Sequence, residues 1–280
     1  MLNLIVCALL LAIAPVRGDQ STSTGFHYRP GFFVQGDSSQ VVPTTNLPRM
    51  GLVEGKTWHD VQAEIDAKQR EGVEVKLIVF LRHGEGIHNV AIAQYGAAWD
   101  TVGRDPKYTD APLTALGMQQ AGAASVVLND AVANGLHLQH VVISPLERTL
   151  RTFTIAYQNQ TTGITKKPME LAREILGVFT CDKRRSISEK RLEYPDLDFS
   201  KIASDEDPWW KADHRETDAE MEVRATKLLE VIFDTTTAQN VGVVSHSVFG
   251  AALLRAIGHH EYALDTATFL PLLIERVKTD

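Results

Sequence analysis

The sequence predicts an α/β fold, a three-layer α/β/α sandwich around a mostly parallel central sheet. Three short segments, residues 75–81, 140–144 and 241–244, are mostly apolar and rich in β-branched side chains, as strands buried on both faces are. Segments with helical patterns of apolar residues lie between them. Because parallel strands need long crossover connections, this alternation favours a parallel sheet with helices on both faces.

The first 18 residues have the composition of a secretory signal peptide. The apolar run at residues 2–16 is too short to span a bilayer comfortably, and small and then polar residues follow it. Cleavage after Gly18 fits this pattern, but no Lys or Arg precedes the run, so a signal anchor or a core helix stays open as an alternative. We expect a secreted protein without stable membrane association after cleavage, with one domain over residues 19–280. The sequence determines neither the exact cleavage site nor the oligomeric state.

An irregular N-terminal arm is predicted at about residues 19–56, because prolines and glycines interrupt any period there. Thr57 and the acidic Asp60 three residues later are typical of a capping box. They predict a helix over residues 58–69 that leads into the first strand.

The middle of the chain continues the alternation of helix and strand. Thr114 is suited to cap the next helix, and Gly135 lies past its end. After the second strand, Pro145 suits the first turn of a helix. The segment at residues 169–172 is interpreted as a further short strand.

The C-terminal part begins with a charged and aromatic segment, residues 183–215, which is interpreted as an excursion over the sheet. Thr217 and Glu220 then form a capping box for a helix over residues 218–234. The last strand is predicted at residues 269–275.

Composition limits the possible partners. The chain has 280 residues and a formal net charge of −7, which argues against nucleic acid or an anionic membrane surface as a partner. Cys181 is the only cysteine once the first 18 residues are removed, so no intrachain disulfide is available. Asn159 begins a sequon and is a candidate glycan acceptor. No Cys/His or acidic cluster has the spacing of metal ligands, so we expect neither a metal nor another cofactor.

Polar residues at the ends of the three strands indicate an anion site. Arg82 and His83 end the first strand, Arg148 begins the helix after the second, and His246 ends the third. The C-terminal ends of parallel strands meet at one edge of a sheet, so these side chains are expected to converge. Cationic side chains beside the free N–H groups of helix N-termini favour an anion.

These motifs resemble the histidine phosphatase superfamily in its phosphoglycerate mutase-like branch. The likeness spans about residue 30 to the C-terminus, and residues 173–184 are similar to fungal secreted members in particular. It rests on five motifs in order, which are Leu81-Arg82-His83-Gly84-Glu85 with Asn89, Leu113-Thr114 with Gln119-Gln120-Ala121, Ser144-Pro145-Leu146-Glu147-Arg148-Thr149, Glu174, and Ser245-His246. The resemblance implies a phosphoglycerate mutase-like fold.

The resemblance also implies catalytic roles. His83 is implied as the nucleophile that forms a phosphohistidine intermediate, and we expect its side chain at an open strand end. Arg82, Arg148 and His246 are implied to surround the phosphoryl group and neutralise charge on its oxygens, with His246 counted among the catalytic residues. Asn89 is implied as a further neutral donor.

Glu174 matches the proton donor of the family, which protonates the leaving oxygen and then deprotonates water. On the sequence alone, Glu170 and Glu147 are competing acids. A neutral His83 with a protonated Glu174 predicts a bell-shaped pH profile with an optimum at about pH 4 to 6.

Several other residues receive an ordinary structural interpretation. His88, His259 and His260 are expected to be surface or core histidines, and Glu85 to cap a helix or form a salt bridge. The basic run at residues 183–185 is interpreted as a solvated face, with a site for a second phosphate as the alternative.

The predicted function is hydrolysis of a small phosphomonoester. Phosphoglycerate mutase-type phosphoryl transfer and a non-catalytic secreted phosphate-binding protein are the alternatives. Secretion favours hydrolysis, because a secreted protein has little access to a bisphosphorylated glycolytic primer, whereas a cytosolic protein would favour the mutase. Gly86 stands where many members of the family have Ser, which leaves the substrate open.

Overall fold

The structure is a computed structural model and describes residues 25–160 and 162–277. The predicted signal peptide therefore lies outside the described residues. Six strands form one sheet, with the bounds β1 Phe26–Tyr28, β2 Glu74–Arg82, β3 His140–Ile143, β4 Thr165–Pro168, β5 Asn240–Ser245 and β6 Phe269–Arg276. The α-helices are α1 Trp58–Arg70, α2 Ile87–Tyr95, α3 Trp99–Val102, α4 Ala115–Ala133, α5 Glu147–Ala156, α6 Ile187–Glu193, α7 Asp218–Thr235 and α8 Ser247–Ala256. Among these described helices, none has the length and apolar character needed to cross a membrane.

The sheet has the strand order β1-β6-β2-β5-β3-β4. The pairs β2 with β5, β5 with β3, and β3 with β4 are parallel, whereas β6 is antiparallel to both of its neighbours. The predicted mostly parallel sheet is thus confirmed. Arg82 lies opposite Ser245, and Ile143 lies opposite Val244, so β2, β5 and β3 end at the same edge.

Helices cover both faces of the sheet because side chains of β2 point alternately into two apolar cores. Leu77 and Val79 lie in the core that α1, α4 and α5 cover, whereas Ile78 and Phe80 lie in the core under α7 and α8. This period of two is that of a strand buried on both faces. The predicted three-layer architecture is confirmed.

Three predicted helix starts are observed. Thr57 and Asp60 form a capping box at α1, and Thr217 and Glu220 form another at α7. Thr114 caps α4 by accepting a backbone N–H of the first turn at 2.9 Å. Such caps contribute about 1 kcal/mol each to helix stability.

Two local predictions are wrong. Residues 169–172 do not form a strand, since Glu170–Ala172 is a 3₁₀ turn and the strand of this region, β4, precedes it. The Thr-Lys-Lys-Pro sequence of β4 has no apolar period, and an edge strand tolerates its polar side chains and its proline. Pro145 precedes Leu146, the N-cap of α5, and does not lie in the first turn.

The N-terminal arm contains a strand, β1, that the sequence did not reveal. Farther along, the arm contacts the loop before β6. Asn46 Nδ2 donates to Ala267 O at 2.7 Å, and Asn46 Oδ1 accepts from the N–H of Phe269 at 3.0 Å. The N–H of Ala267 donates in turn to His83 O at 3.0 Å. The arm therefore supports the backbone at the end of the first strand.

Buried ion pairs hold the segment between β4 and α7. Arg184 is 2% exposed and donates from Nε to Glu170 at 2.7 Å and from its Nη atoms to carbonyl oxygens of residues 204–206. Arg185 pairs with Glu193 at 2.7 Å. The interpretation of residues 183–185 as a solvated face is therefore wrong for Arg184, because its guanidinium is buried and paired with Glu170.

Candidate active site

The C-terminal edge of the sheet brings together polar residues that follow β2, β3 and β5. The N–H of His83, directly after β2, donates to Ser245 O at 3.0 Å. The ring centroids of His83 and His246 are 5.0 Å apart. Arg148, in the first turn of α5, donates from Nε to His246 Nδ1 at 3.2 Å. The convergence expected of parallel strand ends is observed for these residues.

His83 is buried, with 1% of its surface exposed, so the expected open position is wrong. Its Nδ1 lies 2.6 Å from Gly84 O, and because a carbonyl oxygen only accepts, Nδ1 carries the proton and Nε2 keeps its lone pair. The N–H of Gly84 donates to Thr152 Oγ1 at 3.0 Å, which holds the turn after His83. Burial, and after it the charges of Arg148 and Arg82, lowers the pKa of His83 well below its ordinary value. The ring therefore stays neutral to a lower pH than an exposed histidine does.

Arg148 is fully buried and makes hydrogen bonds through all three of its nitrogens. Nε donates to His246 Nδ1, Nη1 donates to Cys181 O at 2.7 Å, and Nη2 donates to Asp182 Oδ1 at 2.9 Å. Since His246 Nδ1 accepts, its proton is on Nε2, which donates to Ser144 Oγ at 2.7 Å. Both ring nitrogens of His246 are thus engaged with protein groups, and its expected contact with the phosphoryl group stays a prediction. A guanidinium has five N–H groups, so two N–H groups of Arg148 remain for a ligand.

Arg82 and Asn89 also keep donors for a ligand. Arg82 Nη1 donates to Leu264 O at 2.5 Å, while its Nε is buried and has no hydrogen-bond partner within residues 25–160 and 162–277. Asn89 Oδ1 accepts from the N–H of Gly86 at 2.9 Å, which leaves the N–H groups of Nδ2 as donors.

The carboxyl group of Glu174 lies at the N-terminus of α8. Oε1 accepts from the N–H of Phe249 at 3.0 Å, and Oε2 accepts from the N–H of Val248 at 3.4 Å. Burial first, and then the charge of Asp182, raises the pKa of Glu174 above its ordinary value, against the opposing charge of Arg148. The carboxyl therefore keeps its proton to a higher pH than an exposed glutamate does.

The two competing acids are committed to structural ion pairs. Glu170 lies 3.1 Å from Arg173 and 2.7 Å from Arg184. Glu147 lies 2.9 Å from Arg185. Each of these carboxylates is held by a guanidinium group in a charge-assisted contact. Of the three acids considered, Glu174 is the one beside the convergent residues.

Asp182 is a residue of this site that the sequence did not identify. It is 3% exposed, and its Oδ1 accepts from Arg148 while its Oδ2 accepts from Arg215 at 3.0 Å. Its place within residues 173–184 supported the family resemblance but had no spacing that pointed to chemistry. The ion pair that defines its position links parts of the chain that only folding brings together.

Comparison with known proteins identifies the family. Residues 78–268 match the family model of the histidine phosphatase superfamily (branch 1). The chain belongs to this superfamily. It is 30% identical to a probable phosphoglycerate mutase of Arthroderma benhamiae over 89% of this chain and 84% of the relative. It is also 30% identical to a probable phosphoglycerate mutase of Saccharomyces cerevisiae, over 88% and 94%. A solved structure of a putative alpha-ribazole-5'-P phosphatase from Escherichia coli matches with 19% identity and a TM-score of 0.47, covering 71% of this chain and 90% of that chain.

Histidine phosphatases generally catalyse phosphoryl transfer or hydrolysis on small phosphorylated substrates.

The residues given an ordinary structural interpretation can now be placed. Glu85 Oε1 accepts from Thr114 Oγ1 at 2.7 Å beside the start of α4, in line with the capping role expected of it. His259 and His260 follow α8 and stack on each other with centroids 4.5 Å apart. His88 differs from them, since its ring centroid lies 5.5 Å from that of His83. His88 is 6% exposed, so the expectation of a core histidine is confirmed for it, and its ring packs beside that of His83.

Proposed function

We propose that the protein is a phosphomonoester hydrolase that works through a phosphohistidine intermediate on His83. The observation that carries this proposal is the free lone pair on His83 Nε2, set beside the guanidinium groups of Arg82 and Arg148, whose charges act on that ring. A nucleophile needs a lone pair, and the phosphoryl group needs positive charge around its oxygens. Both requirements are met within one cluster.

In the first step, His83 Nε2 attacks phosphorus while the ester oxygen departs in line on the opposite side. The bond from nitrogen to phosphorus forms as the bond from phosphorus to oxygen breaks, and Glu174 gives its proton to the leaving alcohol. The unused N–H groups of Arg82 and Arg148 and the amide of Asn89 donate to the phosphoryl oxygens.

In the second step, water attacks the phosphohistidine from the side that the alcohol vacated. The carboxylate of Glu174 takes a proton from this water, the bond from nitrogen to phosphorus breaks, and inorganic phosphate leaves. His83 regains its lone pair on Nε2, and Glu174 regains its proton, so the cycle is closed.

Hydrolysis is favoured over mutase activity because the arginines of the segment between β4 and α7 already form ion pairs with carboxylates of the protein. A mutase acceptor carries a second anionic group and needs a further positive charge. Arg173 and Arg184 pair with Glu170, Arg185 pairs with Glu193, and Arg215 pairs with Asp182 among the described residues. These ion pairs occupy four arginines, and the remaining cation of the basic run, Lys183, lies over the ring of Trp210 at 5.2 Å from its centroid.

We also propose that the protein is secreted, with residues 1–18 as its signal peptide. The support is the apolar run at residues 2–16 and the small and polar residues after it. Expression of the full chain followed by N-terminal sequencing of the secreted product is expected to give a chain that begins at Asp19. A product retained in the cell with an intact first residue would contradict this.

The names of the relatives favour phosphoglycerate mutase activity as the second candidate. The deciding experiment assays the mature chain against a panel of phosphomonoesters, with and without a bisphosphoglycerate primer. Release of inorganic phosphate without primer is expected. Primer-dependent transfer without phosphate release would support the mutase, and binding of phosphate esters without turnover would support a non-catalytic protein.

We expect the Asp182→Asn substitution to move the alkaline limb of the kcat/KM profile to lower pH. The charge of Asp182 raises the pKa of Glu174, so removing that charge lowers this pKa and Glu174 loses its proton earlier as pH rises. Asp207→Asn is the matched control, because Asp207 pairs with Arg173 and not with Arg148. An alkaline limb that stays in place in Asp182→Asn would limit Asp182 to a structural role.

We expect activity to be independent of metal ions, because Arg82 and Arg148 already supply positive charge to the phosphoryl group. No group of three or more His, Cys, Asp or Glu side chains in the described part of the chain is placed to hold a metal ion. Treatment with EDTA and removal of the chelator is expected to leave kcat/KM within about twofold of its starting value. Lost activity that one divalent ion restores would refute the prediction.

A further inference from the structure

A third imidazole, that of His88, lies beside the phosphoryl site and has no role in the mechanism above. It belongs to the first turn of α2, is 6% exposed, and has its ring centroid 5.5 Å from that of His83. Burial lowers the pKa of His88 well below its ordinary value, and the next largest causes are the charges of Arg148 and His83. Arg148 and His83, whose charges influence the His88 ring, are both residues of the proposed phosphoryl site.

The three rings differ in how many nitrogens are already hydrogen-bonded. His246 uses both nitrogens, with Arg148 and with Ser144. His83 uses Nδ1 and keeps Nε2 for phosphorus. His88 Nδ1 is buried and has no hydrogen-bond partner in the part of the chain that the structure describes. Nδ1 packs against Gly86, so a ligand cannot approach it there. Nε2 also makes no hydrogen bond to the described residues and is not closed off in this way, so it is the ring nitrogen whose hydrogen-bonding capacity a ligand can satisfy.

Gly86 makes room for this ring. A β-carbon at residue 86 would lie 2.5 Å from His88 Nδ1 and 2.6 Å from its Cε1, far inside normal contact distance. The N–H of Gly86 is held by Asn89 Oδ1 at 2.9 Å, so the backbone cannot withdraw without losing that bond. A larger residue at this position would displace the ring of His88.

We propose that His88 is a further phosphoryl-binding residue, that its imidazole hydrogen-bonds an oxygen of the bound phosphoryl group, and that Gly86 is needed because it admits the ring. The inference rests on the proposed function, which places the phosphoryl group at His83. The ligand class is a tetrahedral oxyanion, either the phosphoryl group of a monoester or inorganic phosphate.

The test compares His88→Phe with wild type, because phenylalanine keeps a planar ring and removes both nitrogens. Binding of inorganic phosphate, measured by calorimetry, and kcat/KM for p-nitrophenyl phosphate are each expected to fall about tenfold, as the loss of one hydrogen bond predicts. His140→Phe is the matched control, since His140 is also 6% exposed but lies at the start of β3, away from the site. It is expected to bind phosphate as wild type does.

A double-mutant cycle tests the pairing of Gly86 with His88. Gly86→Ala alone is expected to weaken phosphate binding about tenfold, whereas Gly86→Ala added to His88→Ala is expected to cost less than about twofold. Equal costs in both backgrounds would overturn the role assigned to Gly86. If His88→Phe does not fold, His88→Gln replaces it and is expected to bind phosphate about threefold more weakly than wild type.

Unchanged phosphate affinity in His88→Phe, or in His88→Gln where that variant is used, would overturn the inference. Failure of the proposed function is a separate outcome. A wild-type protein that binds phosphate through His88 but hydrolyses no ester would overturn the proposed function alone. Hydrolysis by wild type together with wild-type phosphate affinity in His88→Phe would overturn the inference alone.

Discussion

Replacing His83 by alanine is expected to lower phosphate release by at least about 10⁴-fold, as the loss of a nucleophile does in enzymes with covalent intermediates. The reason is that Nε2 of this ring is the nitrogen with a free lone pair in the proposed mechanism, because Nδ1 is committed to Gly84 O. Steady-state hydrolysis of p-nitrophenyl phosphate measures the loss. Acid-labile, alkali-stable phosphoenzyme, trapped by rapid quenching of the wild type, is expected to be absent from the variant.

Because His83 is buried, the variant leaves a cavity and loses one hydrogen bond. A destabilisation of about 1–3 kcal/mol is therefore expected, and thermal unfolding will report it. The control is His140→Ala. This variant removes another buried histidine, at the N-terminal end of β3 and away from His83, and it is expected to keep its activity. A folded His83→Ala protein that retains more than about 1% of wild-type activity would show that the nucleophile is another residue.

Replacing Glu174 by glutamine is expected to slow esters with poor leaving groups by about 10²–10³-fold, while aryl esters slow much less. An alkoxide needs a proton to depart, whereas an aryl oxide is stable enough to leave without one. The measurement is kcat/KM for an alkyl and an aryl phosphate in parallel. Glu170→Gln is the matched control. It is expected to affect both esters equally, because Glu170 forms ion pairs with Arg173 and Arg184 and does not contact the reacting atoms.

The same variant is expected to flatten the alkaline limb of the pH profile. Activity rises with pH as His83 loses its proton, and it falls as Glu174 loses its own. The lowered pKa of His83 moves the acid limb down, and the raised pKa of Glu174 moves the alkaline limb up, so the pH range in which His83 is neutral and Glu174 is protonated widens on both sides. Both limbs report the coupled set of groups. Equal slowing of both esters in Glu174→Gln, with the alkaline limb intact, would assign the proton donor elsewhere.

Local sequence patterns were sufficient where local physics decides the structure. The strand at residues 75–81 was predictable because a mostly apolar run, interrupted here only by Lys76, is needed when both faces are buried. Thr57, Thr114 and Thr217 were predictable because an N-cap needs a side-chain oxygen at one position. The strand β4 was not predictable, because an edge strand is stabilised by its pairing with β3 and not by an apolar period.

The candidate site divides in the same way. Arg82, His83 and His246 could be named in advance, because the ends of parallel strands meet at one edge whatever the details of packing. The competition among Glu147, Glu170 and Glu174 could not be decided, because ion pairs with distant arginines decide which acid is free.

The sequence by itself determined the fold class, the positions along the chain of the three strands that carry the site and the residues at their ends, because these follow from patterns of neighbouring residues. Only the tertiary structure decided the tautomer of His83, the place of Asp182 and the position of His88 beside His83. The tautomer depends on the contact of His83 with Gly84 O, the place of Asp182 depends on its ion pair with Arg148, and the position of His88 depends on the absence of a side chain at Gly86. Such contacts exist only in the folded chain.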